Sequence, residues 1–281
     1  MGKKKGYGQQ KNKHSLKMRI RGWFHRGRFI GFDIQSIIMA VLTTLTIVTT
    51  IVMGLLIYNR FTRAIKQTAI SNAESLINST VEKIDSDLLN VRQISNALNY
   101  NIIQEGDVND QEFARQFSLL YEVNNDKVQS LALFDNEGKL VAAEPVMEQK
   151  DNVNVKSQKW YTDALRDIEN IHFSTPHIQN LFADESYKYY WVISLSRSVD
   201  INNGKTPVSG VLLVDMKSSV ISDTMKAINE DSNEVYYYLC NREGEIIYHP
   251  RRTEIDRGLI SEDVGKVAML EDGTYELKLN G

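Results

Sequence analysis

The chain has a single cysteine, Cys240, and therefore cannot form an internal disulfide framework. Its stability must come from hydrophobic cores instead. A hydrophobic content of 42% over 281 residues is enough for the cores of two ordinary domains. Because Cys240 lies in the apolar run VYYYLCN, it is predicted to be a small core residue.

Acidic residues are missing from the first thirty positions, which contain ten lysines and arginines. The whole chain has a formal net charge of -3, so the residues that follow this arm are strongly acidic. A basic arm of this kind is typical of proteins that contact nucleic acid or an anionic membrane surface. The segment that follows favours the membrane, and no nucleic-acid binding is predicted.

Charged residues are also missing from residues 37–58, IIMAVLTTLTIVTTIVMGLLIY. At ~1.5 Å per residue, a helix of this length crosses a hydrocarbon layer of ~30 Å. Its threonines can return their hydroxyls to the preceding helical turn, which makes them compatible with lipid. A cleaved secretory signal would have a shorter apolar region and a small-residue cleavage site, so the segment is predicted to be an uncleaved anchor.

The excess of basic residues before this anchor predicts its orientation. By the positive-inside rule, the arm lies in the cytoplasm and residues 59–281 lie outside the cell membrane. The arm is interpreted as an orientation signal that also contacts anionic lipid.

Proline and glycine are missing from residues 59–100, where apolar residues recur every three or four positions. This spacing predicts one amphipathic helix of ~60 Å. A helix of that length can lie along its own domain in its upper part and pair with a second copy of itself near the membrane. The apolar positions are Ile65, Ala69, Ala73, Leu76, Ile77, Val81, Ile84, Leu88, Val91, Ile94 and Leu98.

The rest of the chain has short apolar runs between turn residues, a pattern typical of strands. Two predicted hairpins, residues 128–143 and 235–250, share a Glu-Gly turn and a nearby proline, which indicates two related α+β modules in tandem. The second module has little beyond its hairpin, so we expect the sequence to stop short of that module's natural end. The elements predicted between the hairpins are a helix at Trp160, strands at residues 187–199 and 208–216, and a helix at 218–229.

The motifs of common enzyme classes are missing as well. There is no Gly-x-Ser-x-Gly elbow and no phosphate-binding glycine loop. His172, His177 and His249 are too dispersed to predict a zinc site. No catalytic residue, metal or cofactor is therefore predicted, and the phospho-accepting histidine and ATP-binding module of a kinase are absent from these residues.

The order of the parts resembles the extracytoplasmic double Cache (dCache) region of bacterial transmembrane receptors. The resemblance is carried by LALFDNEGKLVAA, KWYTDAL, FSTPHIQ, GVLLVDM and REGEIIYHP, and it covers nearly all of residues 33–281. Among the proteins that use such a region, the chain is most similar to sensor histidine kinases of the YesM type. Chemotaxis receptors and cyclic-dinucleotide synthases have similar front ends.

This resemblance implies an α+β fold in which two PAS-like (Cache) modules with antiparallel sheets stack on the stalk helix, the second module being incomplete. The implied parts are a cytoplasmic basic arm at 1–32, a transmembrane helix at 33–58, a stalk helix at 59–105, a membrane-distal, ligand-binding Cache module at 106–228 and a partial membrane-proximal Cache module at 229–281.

The resemblance also implies a ligand site. In amino-acid-binding relatives, an Arg-x-Trp-Tyr element grips the ligand carboxylate, while a later Tyr and an Asp at a strand end receive the ammonium. Trp160, Tyr161 and Asp215 match this pattern, but Gln158 replaces the Arg and His177 stands near the later Tyr. A neutral amide cannot replace a guanidinium fork. A polar, hydroxylated ligand such as a sugar therefore fits as well as an amino acid, and Tyr189 completes the predicted site.

Each of these residues also has a purely structural interpretation. Trp160 and Tyr161 can cover a small sheet, and Asp215 can cap the helix that follows its strand. His177 can be a surface loop residue. Tyr189 can pack in the core beside Trp191, since residues two apart on a strand share a face.

The predicted function is small-molecule sensing outside the cell and signal transduction across the membrane, as the input region of a two-component sensor histidine kinase. The predicted partners are a small polar ligand (a sugar, amino acid or other metabolite), the membrane, a second copy of the chain through the stalk, and a cytoplasmic response regulator. The alternatives are the input region of a chemotaxis receptor or cyclic-dinucleotide synthase, or a membrane-anchored envelope protein that binds a partner or acts as a scaffold.

Overall fold

The computed structural model describes residues 33–168, 170–183, 189–204, 206–230 and 235–275. The predicted cytoplasmic arm at residues 1–32 lies outside them. The described helices are α1 (Ile34–Ala97), a π-helix (Leu98–Ile103), α2 (Gln111–Asn124), a 3₁₀ turn (Val155–Ser157), α3 (Lys159–Arg166), α4 (Ser219–Asn229), α5 (Arg252–Asp256) and α6 (Val264–Ala268). The described strands are β1 (Val128–Asp135), β2 (Leu140–Glu144), β3 (His172–Phe173), β4 (His177–Ile178), β5 (Trp191–Ile201), β6 (Val208–Lys217), β7 (Leu239–Cys240) and β8 (Ile246–Tyr248).

The chain divides at Ser71 into two compact units. The first unit contains the apolar start of α1, which is long and apolar enough to cross a membrane. Its threonines donate to main-chain carbonyl oxygens of the preceding turn, as the hydroxyl of Thr44 does to Ala40 at 2.7 Å. The predicted satisfaction of these hydroxyls within the helix is therefore confirmed.

In the second unit, the later part of α1 has one buried stripe. From Thr80 to Ile94 its buried positions recur at intervals of three and four residues, which keeps them on one helical face, and three of them, Ile84, Val91 and Ile94, are among the apolar positions predicted from the sequence. The buried positions are Thr80, Ile84, Asp87, Val91, Ile94 and Ser95. The carboxylate of Asp87 accepts from the Lys127 ammonium at 2.8 Å, which ties the helix to the start of β1.

The end of the stalk differs from the prediction of one regular helix to residue 105. The α-helical hydrogen bonding ends at Ala97, and a π-helix continues from Leu98 to Ile103. The apolar periodicity does not reveal this change, although Leu98, Ile102 and Ile103 of the π-helix are buried.

The main sheet has six antiparallel strands in the order β2-β1-β6-β5-β3, and β4 also pairs with β5. Because side chains alternate across a strand, the sheet has two distinct faces. One face packs with α1, the π-helix and α2 around residues such as Leu133, Leu195 and Leu212. The opposite face packs with α3 around Phe134 and Leu213.

The two predicted hairpins are both present and close in the same way. At the first, the Asp135 carboxylate accepts from the Lys139 N–H at 2.8 Å, and at the second the Asn241 side-chain oxygen accepts from the Glu245 N–H at 2.8 Å. Both turns use a glycine in the left-handed region, Gly138 with φ +80 and Gly244 with φ +82. The resemblance between the hairpins is therefore confirmed in geometry, while the module boundaries stay a prediction.

Two local predictions need correction. β5 begins at Trp191, and Tyr189 precedes it, so Tyr189 does not share a strand face with Trp191. The predicted start at residue 187 lies outside the described residues. Cys240 is only partly buried, because β7 and β8 form a sheet of two strands that cannot enclose it.

Replacing Leu98 by Ala tests the packing of the helix on the sheet. Leu98 is 0% exposed in the core, so the variant should lose ~2–5 kcal/mol of unfolding free energy. Leu89→Ala is the matched control, because Leu89 is 51% exposed on α1 and its loss should cost no more than ~0.5 kcal/mol. Urea unfolding of the full chain in detergent micelles measures both, and equal losses would contradict the described packing.

Candidate ligand-binding site

A cavity of about 370 Å³ opens on the second face of the sheet, beside the start of α3 and the segment that carries β3 and β4. A cavity of this size suits a small molecule. Its lining residues are Gln158, Lys159, Trp160, Asp163, His172, Phe173, Ser174, Thr175, His177, Ile178, Gln179, Asn180, Leu181, Ser194, Ser196 and Asp215.

The sequence-predicted residues separate into two groups. Gln158, Trp160, His177 and Asp215 all line the cavity, although they come from three parts of the chain. Tyr161 and Tyr189 are not among the lining residues. Which of these six side chains bind a ligand stays a prediction.

Asp215 is the most buried charged group of the cavity. It is 1% exposed in β6, between Ser130 on β1 and Ser194 on β5. The hydroxyl of Ser130 donates to one carboxylate oxygen at 2.8 Å, and the hydroxyl of Ser194 donates to the other at 2.5 Å. Asp215 is therefore held by two strands and does not cap α4.

Burial raises the pKa of the Asp215 carboxyl, because it removes water from the charged form. The hydrogen bonds from Ser194 and Ser130, the nearby charge of His177 and a hydrogen bond from Gln179 oppose this effect without cancelling it. Among the described residues, no lysine or arginine contributes to this balance.

His177 lies near Asp215, with the Ser194 hydroxyl between them. Its Nε2 is 3.4 Å from the Ser194 hydroxyl, and its Nδ1 is 3.0 Å from the Thr175 carbonyl oxygen. Because a carbonyl oxygen can only accept, Nδ1 carries a hydrogen when this bond is formed. The residue belongs to the floor of the cavity and is not a free surface loop residue.

Trp160 and Tyr161 have different roles. The Trp160 ring lies 5.5 Å from the Phe134 ring, and the Trp160 carbonyl oxygen accepts from the Ser196 hydroxyl at 2.9 Å. Tyr161 is 1% exposed, and its hydroxyl donates to the Asp135 carbonyl oxygen at 2.7 Å. Tyr161 thus anchors α3 to the first hairpin, while Trp160 forms part of the cavity wall.

Tyr189 is 79% exposed and lies outside the cavity wall. Its side chain is in solvent, so the alternative of core packing was wrong, while the predicted ligand contact stays a prediction.

The sequence reasoning missed several polar lining residues. Ser194 and Ser196 alternate with apolar residues in ISLSRS, and this period of two places both serines on the cavity face of β5. Asp163 was also missed, although it stands three residues after Trp160 on α3. Both patterns were visible in the sequence, but neither shows by itself which face covers a cavity.

Asp163 neutralises the cationic side chains of α3. Its carboxylate accepts from the Lys159 ammonium at 2.8 Å and from the Arg166 guanidinium at 2.9 Å. The hydrogen bond from Lys159 is the main cause of a lowered pKa of the Asp163 carboxyl. Asp163 is therefore charged at neutral pH.

Among the described residues, no three His, Cys, Asp or Glu side chains converge in a way that could hold a metal ion. The groups that the cavity offers are hydroxyls, amides, imidazoles, one indole ring, one phenyl ring, one ammonium and two carboxylates. These groups bind by hydrogen bonding, stacking and charge.

The sequence model of the Cache domain family matches residues 61–281. The chain belongs to the Cache domain family. Its mixed helix and antiparallel sheet architecture, with a long first helix, agrees with the α+β Cache fold predicted from the sequence. Cache domains serve as ligand-binding sensor domains and are usually extracytoplasmic. The start of α1 is long and apolar enough to span a membrane.

Solved ligand-binding domains of chemoreceptors are similar in structure. That of Pseudomonas aeruginosa PctC, in complex with GABA, is 20% identical with a TM-score of 0.49, over 62% of this chain and 72% of that one. That of Pseudomonas fluorescens CtaA, in complex with L-valine, is 18% identical with a TM-score of 0.46, over 62% and 71%. The sensory domain of Campylobacter jejuni Tlp3, with isoleucine bound, is 19% identical with a TM-score of 0.45, over 56% and 63%.

No curated protein sequence matches the chain.

Replacing Asp215 by Asn tests the buried charge. Because the folded-state pKa is raised, the stability that this carboxyl contributes is present below its usual pKa and is lost as pH rises through the raised value. The asparagine variant lacks this loss, so its unfolding free energy relative to the native chain should increase from pH 4 to pH 8.

The control for this measurement is Asp223→Asn on α4, because the Asp223 side chain is 68% exposed. Denaturant unfolding of both variants over the pH series gives the comparison. A difference between Asp215→Asn and the native chain that is constant with pH would show that the Asp215 pKa is not raised.

Proposed function

We propose that this chain is the extracytoplasmic sensing region of a bacterial transmembrane receptor, and that a small polar molecule binds in the cavity beside α3. The observation that carries the proposal is the floor of this cavity, where the donors to the buried Asp215 carboxylate among the described residues are neutral. A buried carboxylate without a charged partner is costly in a purely structural site. A ligand that supplies hydrogen bonds or charge offsets that cost.

The proposed ligand contacts are Gln158, Trp160, His177 and Asp215, with Ser194 and Ser196 beside them. Trp160 offers a ring face for the body of the ligand, while the other residues offer hydrogen bonds. Tyr161 packs behind the cavity wall and is not proposed as a ligand contact.

The proposed output is a two-component sensor histidine kinase of the YesM type that passes its signal to a response regulator. A chemotaxis receptor would use the same input region equally well. In either case the chain acts as a homodimer through its long helix, anchored by residues 33–58 with the N-terminus in the cytoplasm. Ligand binding can drive a switch only if the ligand prefers one arrangement of the two helices, and shifts of ~1–2 Å suffice at other interfaces.

Signal transduction can be measured with a chimaera in which residues 1–281 precede the second membrane helix and kinase module of a well-characterised sensor. In membrane vesicles, ligand should change the rate of autophosphorylation. A chimaera that binds ligand with no change in phosphorylation would favour a tethered binding or scaffold protein.

Binding itself can be measured by a melting screen of the full chain in detergent micelles against sugars, amino acids, organic acids and amines. A ligand at 100 times its Kd should add ~2.7 kcal/mol of stability. Trp160→Ala should weaken binding of any hit by at least ~10-fold, because it removes the aromatic wall. Trp191→Ala is the matched control, since Trp191 is 56% exposed and lies outside the cavity wall. Equal weakening by both variants would place the ligand elsewhere.

Gln158→Arg tests the charge preference at the rim. The Gln158 side chain makes no capping hydrogen bond to α3, so its replacement should leave the helix intact. A guanidinium there can bind a carboxylate through two hydrogen bonds. The variant should gain affinity for carboxylate-bearing compounds in an amino-acid and organic-acid panel, and an unchanged panel would mean that Gln158 does not contact the ligand.

A further inference from the structure

Asp163 occupies an unusual position for a carboxylate that pairs with two cations. Its side chain is only 12% exposed and lines the cavity, whereas the side chains of Lys159 and Arg166 are 91% and 68% exposed. The anion is therefore held in place by the fold, and the two flexible cations come to it. Their spacing of three and four residues along α3 makes this possible.

Among the described residues that line the cavity, Lys159 is the single lysine or arginine. Its ammonium is bound by one oxygen of Asp163, while the other oxygen binds Arg166. Arg166 also reaches the Asp167 carboxylate at 3.4 Å. The two cations of α3 are thus matched by two carboxylates, and neither is left over for an acidic ligand.

At the floor of the cavity, by contrast, the negative charge is not matched by a lysine or arginine among the described residues. Asp215 accepts from the hydroxyls of Ser130 and Ser194, which carry no charge. The titratable groups that face this region from the neighbouring elements are His177 on β4, His172 on β3, and Asp163 with Lys159 on α3. Of the two cavity carboxylates, Asp163 is paired with the cations of α3. Asp215 has no lysine or arginine partner among the described residues.

We propose that Asp163 sets the charge selectivity of the cavity. By holding Lys159 and Arg166, it leaves Asp215 as the unbalanced charge, so the cavity takes a small organic cation that has no carboxylate. This inference rests on the proposed function, namely that the cavity binds a ligand, and it names the chemical class.

Three features of the site support this class. A ligand carboxylate would need an unpaired cation, and Lys159 is already paired. It would also meet two carboxylates, which raises its energy through like-charge repulsion. A ligand cation instead finds the Asp215 carboxylate and the face of the Trp160 indole, which attracts positive charge. Burial also raises the pKa of Asp215, so a bound cation would favour its charged form and release any proton that it holds.

A matched series of compounds tests the proposal. Amino alcohols, the amino acids with the same side chains, and the corresponding 1,2-diols share one side chain: the amino acid has a carboxylate in place of the hydroxymethyl group, and the diol has a hydroxyl in place of the ammonium. Leucinol, leucine and 4-methylpentane-1,2-diol are one such set, and aromatic sets extend it. Kd is measured by calorimetry with the full chain in detergent micelles. The native chain should bind an amino alcohol at least ~10-fold more tightly than its amino acid and its diol.

Asp163→Asn should then release Lys159 and Arg166. The ratio of the amino acid Kd to the amino alcohol Kd should fall by at least ~10-fold, and Asp163→Glu should restore it because the carboxylate is kept. A merely structural role of Asp163 would change both affinities together and leave the ratio constant. Circular-dichroism melting checks that the variants fold, and Asp163→Glu provides the measurement if the asparagine variant does not.

Each outcome has a distinct meaning. Amino acids or diols that bind the native chain as tightly as amino alcohols overturn the ligand class while the proposed function stands. An unchanged ratio in Asp163→Asn overturns the role of Asp163. If no compound of any set binds and the melting screen is silent, the cavity is not a small-molecule site, and the proposed function fails together with the inference.

Discussion

The antiparallel pairing of β5 with β6 is the constraint on which the site depends. It runs from Val192 opposite Lys217 to Ile201 opposite Val208, and it fixes Ser194 opposite Asp215. Since side chains alternate, the same ladder sends Leu195 and Val214 to the helix-covered face and Ser194 and Asp215 to the cavity face. A slip of one residue would put the carboxylate in the apolar core beneath α1. The register therefore brings two hydroxyl donors to the buried Asp215 carboxylate.

Much of the fold follows from local patterns. The long helix, both hairpins and the strand that ends near Asp215 are visible as apolar periodicity with glycine at the turns, because each is determined by residues close in sequence. The π-helix at Leu98–Ile103 is not visible as a local pattern, since it depends on how the end of α1 meets the sheet. The predicted strand also included Tyr189 and Tyr190, which lie outside β5, because the pairing of β5 with β6 begins only at Val192 and the run of aromatic residues before it gives no signal of that limit.

The site was harder to predict than the fold. Trp160 and Tyr161 were taken together, but adjacent residues on a helix point about 100° apart, so one lines the cavity and the other is buried against the first hairpin. The sequence does not indicate which of the two lines the cavity, because both rings are large and apolar. Asp163 was not predicted as a cavity residue for another reason. An acid between a lysine and an arginine on a short helix has the pattern of a solvated face, and only the structure shows that its side chain is buried at the cavity while the two cations are exposed.

β5 also connects the cavity to the long helix. Ser194 and Ser196 face the cavity, while the intervening alternation sends Arg197 to the other side of the sheet. There the Arg197 guanidinium donates to the Asn96 side chain at 2.8 Å and lies 5.4 Å from the centre of the Tyr100 ring. These two residues flank the junction between α1 and the π-helix. The Nε of Arg197 and the side-chain oxygen of Asn99 are buried without a partner among the described residues, so this junction is not fully satisfied in its present arrangement. A shift of β5 on ligand binding would therefore move the guanidinium at the one end of the stalk where the helix already departs from regular hydrogen bonding.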